Sequence, residues 1–597
     1  MKTTWYLTPL FKSDTDPRIG TQQKEVEKQV YTFSKKWKNR EDYLSNSSIL
    51  KTALDEYEKL QRMYGTSGAF AYYFWLRTMQ DQTDKTLKAY LAKVDDFSTK
   101  MENELQFFHL RLSKIPKEKQ KEFINSKNLA RYRHFLKRIF DQAAYVLSEQ
   151  EEKILNLTSD PAYAKWVQMT SAFLSKEERV VLTETGGKET KTLEGLATLI
   201  NSQNKKVRDE ASVAINDILA HHVEVAENEI NAVLANKKIT DELRGSTRPD
   251  FFRHLSDDID SEVVDTLVEA VSNRFDISTR FYKLKAKLLK VKKLAYHERN
   301  VEYGKSDKTY VFDDAVSIVK KVFNGLDSEF GDIVTNYLKN GQLDVYPEKG
   351  KRGGAFCAHQ LMIHPTYVLL NYTDKLRDIT TLAHELGHGI NNELIKQKQH
   401  SLHFGTPMAT AEVASTFMED FVLQDLIKNS DEETQFAILL TKLNDDISTI
   451  FRQVACYQFE KELHTVFREK GYLSHVEIGS IFQKHMASYM GVAVEQSKGS
   501  ENWWVYWSHI RSYFYVYSYA SGLLISKSLQ KSVKENSKFI GKVKEFLSTG
   551  LSDSPKNIFN KMGIDIADGN FWNKGLDEIE ESLKYAEKLA RKLGKIS

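Results

Sequence analysis

Nine prolines and 28 glycines in 597 residues leave most of this chain with nothing to stop a helix. Inside a helix, proline costs about 3 kcal/mol and glycine about 1 relative to alanine, so a chain poor in both can sustain long helical runs. The apolar positions agree. Gln22–Lys38, Ser48–Met63 and Asp84–Leu112 place them at helical period, and so does the terminal stretch Gly575–Leu593. The chain is too long for one core of ordinary size. A mainly α, multi-helical protein in several layers or lobes is expected, with no internal repeat.

Two stretches break the helical pattern. Val180–Thr185 and Lys188–Leu193 are β-prone and flank Gly186-Gly187, which predicts a hairpin near 180–193. This marks a boundary between an N-terminal helical region, 1–178, and the remainder, 179–597, with helices resuming from Leu193 to about Leu294. The second stretch runs from Lys349 to Tyr372. Gly350, Gly353 and Gly354 lead into Ala355-Phe356-Cys357-Ala358, and Tyr367–Tyr372 reads as a strand, so a small sheet is expected near 350–372.

The charge excludes some functions. A formal net charge of +3 gives no support for nucleic acid or an anionic membrane as a partner. The densest basic run, Lys283–Lys293, carries leucines and a valine at helical spacing and reads as a solvated helix face. Two cysteines, Cys357 and Cys456, cannot make a disulfide framework, and Cys357 reads as a small buried residue rather than a nucleophile. No signal-peptide core and no apolar run of about 18 residues is present, so a cytoplasmic location is expected.

Chemistry concentrates in His384-Glu385-Leu386-Gly387-His388, an H-E-x-x-H pattern. On a helix, residues four apart project to nearly the same side, one turn apart, so both imidazoles reach one ion. Zinc accepts neutral imidazole and favours four ligands. Ile379, Leu382 and Leu386 fall opposite the histidines and can pack inward. Glu385 lies beside the pair, within reach of a water at the metal. A third ligand is required. Glu412 and Glu419, seven apart on the next helix, are candidates, and so are His400 and His403; spacing does not choose among the four. Farther on, Trp507–Gly522 alternates aromatic residues, as a core packing stripe also would.

The HELGH helix, the AEVAS stretch whose glutamate lies 24 residues after His388, and the Tyr-rich run together resemble the thimet oligopeptidase-like zinc peptidases, in the oligoendopeptidase F branch. Gly354-Ala355-Phe356, Asn371-Tyr372 and Arg452-Gln453 extend the resemblance, which is best from about Leu193 to Asn573. It implies a two-lobed, mainly helical zincin-type fold, with a deep channel and a small sheet beside the HExxH helix. It implies one zinc per chain, held by His384, His388 and Glu412. Glu419 then supports a ligand, and His400 and His403 bind no metal. Glu385 is the implied general base, and His509, Tyr515 and Tyr519 reach the reacting oxygen, Tyr517 being the less certain of the tyrosines. Ser508 and Ile510-Arg511 depart from the family's usual proline and Phe-Tyr around His509. Gly353–Phe356 would border the channel and offer a strand edge to extended peptide. The implied activity is endopeptidase cleavage of short, unstructured peptides. A peptidyl-dipeptidase is the alternative and would need an arginine for the substrate carboxylate, such as Arg352 or Arg511. A non-catalytic peptide-binding protein is a further alternative.

Overall fold

The computed structural model describes residues 2–304 and 309–596, and helices dominate them. The N-terminal helices α1 (Arg18–Trp37), α2 (Ser47–Met63), α3 (Gly68–Gln80) and α4 (Lys85–Ser113) lie where apolar periodicity places them. Asn46 and Asp84 cap α2 and α4 by accepting two backbone N–H groups each, the usual remedy for the unpaired first turn. Their inner faces form one hydrophobic cluster, from Trp5 to Phe140. A second and larger cluster runs from Leu174 to Ala590.

Strands β1 (Glu178–Leu182) and β2 (Lys188–Thr192) pair antiparallel as the expected hairpin. Helix α5 (Lys205–Leu243) follows, and then α6 (Phe275–Leu288). The reading of Lys283–Lys293 as a solvated face holds for Lys283, Lys287, Lys290, Lys292 and Lys293, which are exposed, and fails for Lys285. The helix ends at Leu288, and Lys285 is 3% exposed. Its ammonium donates to the Arg299 carbonyl (2.6 Å) and to Asn444 Oδ1 (2.7 Å), and burial pushes its pKa down to about 7. A lysine with an apolar stem can be buried when its head finds acceptors, and helical spacing does not reveal that.

Strands β3 (Leu343–Asp344), β4 (Phe356–Ala358) and β5 (Tyr367–Leu369) make a three-stranded sheet in the order β3-β5-β4. The β3 pairing is parallel, Leu343 opposite Val368; the β4 pairing is antiparallel, Cys357 opposite Val368. The strand expected over Tyr367–Tyr372 stops at Leu369. Asn371 instead turns its amide onto the carbonyls of Arg352 (2.9 Å) and Gly354 (2.7 Å). Alternation along β5 sends Tyr367 and Leu369 into the N-terminal cluster and Val368 and Leu370 into the other.

Around the sheet lie α7 (Leu376–Lys398), α8 (Val413–Lys428), α9 (Glu432–Asp446), α10 (Arg452–Lys470), α11 (Tyr517–Glu535) and α12 (Gly569–Lys592). A π-turn at Ile447–Phe451 joins α9 to α10. Helix α12 starts six residues before the predicted Gly575 because Asp568 caps it. Among the described residues no helix is long and apolar enough to cross a membrane.

Candidate active site

Helix α7 carries the HExxH residues as its periodicity requires. Ile379, Leu382 and Leu386 are buried in the larger cluster, and His384 and His388 face the opposite way. Glu412 meets both histidines. Its Oε2 lies 3.3 Å from His384 Nε2 and 3.4 Å from His388 Nε2. Ligands at zinc's usual ~2.05 Å in a tetrahedron stand about 3.3 Å apart. Both separations from Glu412 therefore match an edge of a zinc tetrahedron, and the three donors lie within 4.8 Å of one another. Nδ1 of His384 is 2.9 Å from Glu419 Oε2, which fixes the tautomer that leaves Nε2 free to ligate.

Two glycines allow this closeness. A Cβ on Gly387 would lie 2.7 Å from Ser415 Cα and 2.8 Å from the Ala414 carbonyl oxygen, so α7 and α8 touch backbone to backbone. A Cβ on Gly522 of α11 would come within 3.0 Å of Glu412 Cβ. Ser415 Oγ then donates to Glu412 Oε2 at 2.9 Å and restrains the carboxylate.

The electrostatics favour positive charge at the convergence point. Burial alone would lower His384 and raise Glu412. Their contacts outweigh it: Glu412 and Glu419 push the His384 imidazole up to about 10, and the two imidazoles hold the Glu412 carboxyl well below the usual range. Among the described residues, two other His/carboxylate clusters have metal-like spacing, Glu177–His221–His222 and Asp209–His297–Glu298. Both contain acids already paired with Arg179, or with Lys205 and Arg208. Among the described residues Glu412 and Glu419 have imidazoles as their only ion-pair partners, which suits an added cation.

Glu385 is 7% exposed and lines a cavity of about 750 Å³ together with His384, Glu412, Gly354, Ala355 and Tyr519. Burial raises its pKa, partly offset by His384 and His388, as suits a group that must take up a proton. Asp420, Lys442 and Asp446 also line this cavity, and with the buried Lys527 they form a charge network. Lys442 pairs with Asp420, and Lys527 lies 3.0 Å from Asp446.

The aromatic run divides. Tyr519 reaches the cavity, and its hydroxyl is 3.3 Å from His509 Nε2. Tyr515 stacks on His509 at 6.1 Å and meets Tyr519 edge-on at 5.4 Å. Burial, then Tyr515 and Glu412, push Tyr519 up to about 12, so it keeps its proton and can donate. Burial and nearby Arg452 keep His509 below its ordinary value, hence neutral near pH 7. Tyr513 and Phe514 both adopt left-handed backbone (φ 48° and 57°), a costly reversal that folds Tyr515 back against His509. Tyr517 points elsewhere, fully buried with its hydroxyl on Asp257.

Other expected residues lie apart from the cluster. The His400 and His403 rings pack at 4.0 Å with a 34° tilt, and His400 bonds the Arg131 carbonyl. Of the two arginines foreseen for a substrate carboxylate, Arg511 is held by Glu229 through two bonds of 2.5 and 2.7 Å. Arg352 lies over the Phe356 ring on the exposed side. Burial raises the Cys357 thiol well above its ordinary value, which leaves it no nucleophilic role. Sequence reasoning missed the buried charge network; Lys527, amid the small and apolar residues of α11, was its one visible sign.

Residues 198–578 match Peptidase family M3, and residues 111–176 match Oligopeptidase F. An oligoendopeptidase F homolog from Borreliella burgdorferi is 27% identical, over 89% of this chain and 90% of its own length. Group B oligopeptidase PepB from Streptococcus agalactiae is 25% identical, over 91% of this chain and 90% of its own. Among solved structures, the oligoendopeptidase-F of Enterococcus faecium superposes with a TM-score of 0.71 at 19% identity, covering 96% of this chain and 99% of its own. A peptidase candidate from Chlamydophila abortus reaches 0.87 at 22% identity, with 98% of each chain covered. The fold is theirs, mainly helical and two-lobed, and the chain belongs to peptidase family M3, in its oligoendopeptidase F branch, as an oligopeptide-hydrolysing metallopeptidase.

Proposed function

We propose that the chain is a zinc-dependent endopeptidase for short, unstructured peptides, with one zinc held by His384, His388 and Glu412. The carrying observation is the pair of 3.3 and 3.4 Å separations in that donor set, next to a buried Glu385 on the wall of one cavity. Zinc, when bound, would act as a Lewis acid and make an attacking water more acidic. Glu385 takes the proton of that water and delivers it to the leaving amine. Tyr519 donates to the developing oxyanion, with His509 beside it; Tyr515 holds the imidazole in plane. Glu419 orients His384. Gly354 and Ala355 border the cavity and lead into the edge strand β4, to which extended peptide can add as a strand. Residues 1–178 form the N-terminal part that encloses the channel and 179–597 the catalytic part. Two free cysteines suit a cytoplasmic setting.

Glu385→Gln tests the reading. Zinc content stays at one per chain and hydrolysis of a quenched peptide falls by roughly four orders of magnitude or more. A folded, zinc-loaded Glu385→Gln enzyme with normal turnover would remove Glu385 from the mechanism.

A further inference from the structure

Helix α10 buries two polar side chains that its own packing does not need. Glu460 and His464 are four residues apart on one face, 0% and 1% exposed. Among the described residues Glu460 Oε2 and His464 Nε2 have no hydrogen-bond partner. Burial pushes the Glu460 carboxyl up to about 8 and the His464 imidazole well below its ordinary value, so both are neutral near pH 7. A buried carboxyl with one oxygen unsatisfied costs stability, and an apolar side chain of the same size would cost less. Glu460 makes one bond in return: its Oε1 accepts the Phe514 N–H at 2.8 Å.

That N–H belongs to the chain reversal beside His509. Tyr513 and Phe514 are consecutive left-handed residues, φ 48° and 57°, and neither is a glycine that could adopt the conformation freely. The reversal has little of its own to hold it. Among the described residues, Phe514 is the one member of Tyr513–Val516 whose backbone N–H finds an acceptor. The His464 ring packs 4.9 Å from Phe514 and 6.0 Å from Tyr513, and Tyr457 meets the Phe514 ring edge-on at 5.6 Å. The chain before the reversal is fixed separately: Glu229 holds Arg511, and the Ser512 N–H donates to the His509 carbonyl at 2.8 Å. The first residue after it is Tyr515, which stacks on His509 and meets Tyr519 edge-on. The direction in which the chain leaves Phe514 therefore sets how these three rings meet.

We propose that Glu460 is a positioning residue for the reaction: through the Phe514 N–H it locks the left-handed reversal that sets Tyr515 against His509, and so aims His509 and Tyr519 at the reacting oxygen. This rests on the reading of His509 and Tyr519 as oxyanion donors. Glu460 itself does not line the metal cavity and acts only through the turn. A neutral carboxyl serves as well as an ionised one, because the turn needs an oriented acceptor and not a charge.

Glu460→Met keeps the length of the side chain and removes the acceptor; Glu460→Gln keeps the acceptor. With a quenched peptide and zinc-loaded protein, Glu460→Met should lower kcat roughly 10- to 100-fold with KM within about threefold of wild type, while Glu460→Gln holds kcat within about threefold. Adding Glu460→Met to Tyr519→Phe should cost at most about threefold more than Tyr519→Phe alone, because both changes act on one donor. Amide exchange across residues 509–519, read by mass spectrometry, follows the turn without turnover: Glu460→Met speeds exchange at Phe514 by roughly tenfold or more, and Glu460→Gln does not. A folded Glu460→Met enzyme with kcat within twofold of wild type overturns the proposal. So does a Glu460→Gln enzyme as slow as Glu460→Met, or losses that multiply in full in the double variant. Should Glu460→Met fail to fold, exchange in the wild type still decides: the Phe514 amide must exchange roughly tenfold or more slowly than those of Tyr513 and Tyr515, and equal rates refute the bond that carries the proposal. A wild type that cleaves no peptide while Glu460→Met still frees the Phe514 amide would refute the hydrolytic reading and leave Glu460 holding the turn.

Discussion

Substituting Gly387 by alanine tests whether backbone contact between α7 and α8 sets the metal geometry. The added methyl group would lie 2.7 Å from Ser415 Cα and 2.8 Å from the Ala414 carbonyl oxygen. Carbon atoms pack at about 3.5 Å or more, so the helices must separate by roughly 0.8 Å. Glu412 precedes Ser415 by three residues and moves with it, away from both histidines. Metal–ligand distances tolerate only about 0.2 Å. Zinc affinity should fall ~10- to 100-fold, or about 1.4–2.7 kcal/mol. Stability is a poorer measure, because two effects oppose. Overpacking costs ~1–3 kcal/mol, and replacing a helical glycine by alanine returns about 1. The assay is therefore zinc competition against a chromogenic chelator, with kcat/KM at saturating zinc alongside. Gly325→Ala is the control: nothing lies within 4 Å of the added atom, so affinity stays unchanged and Tm rises slightly. A folded Gly387→Ala protein with zinc affinity within twofold of wild type would refute the argument.

Glu419→Gln keeps the size of the group that orients His384 but removes its charge; zinc affinity should drop about tenfold or more by the same competition assay, with the fold unchanged by circular dichroism. Tyr519→Phe removes one oxyanion donor and should cut kcat by roughly 10²- to 10³-fold with little change in KM, read from steady-state kinetics. Glu460 is fully buried, and burial raises its pKa to about 8 from 4.5. The folded state thus holds a proton that the unfolded state loses, so this group's contribution to stability falls as pH rises from about 4.5 to 8. Glu460→Gln should flatten that part of the Tm-against-pH curve and leave the variant more stable than wild type at pH 8.

The metal helix was readable because H-E-x-x-H needs only the i, i+4 geometry of a helix. The choice between Glu412 and Glu419 was not. Seven-residue spacing suggests equivalent positions on one face, but Glu412 sits just before α8, outside its helical register, while Glu419 lies nearly two turns in. One therefore reaches Nε2 and the other Nδ1 of the same imidazole. The tyrosines show the same kind of limit. Helix α11 begins at Tyr517, so Tyr517 and Tyr519 point roughly 200° apart, and only Tyr519 faces the cavity. Arg452 stood out among 85 basic residues only through the Arg452-Gln453 pair of the resemblance, which assigns it no position. Its place depends on a π-turn, which is not a local property of sequence.

Strand β5 has a consequence for how the protein can be dissected. Tyr367 and Leu369 seal the N-terminal cluster, and their neighbours Val368 and Leu370 seal the other. The chain's first residues also clasp this sheet: Trp5 Nε1 donates to the Val368 carbonyl, and the Val345 N–H donates to that of Thr3. A fragment limited to residues 198–578 would expose one whole face of the sheet beside the HExxH helix. The stretch that carries the chemistry is thus a unit of descent but not a unit of folding, and shortening the gene to that stretch should yield an aggregation-prone polypeptide rather than a smaller enzyme.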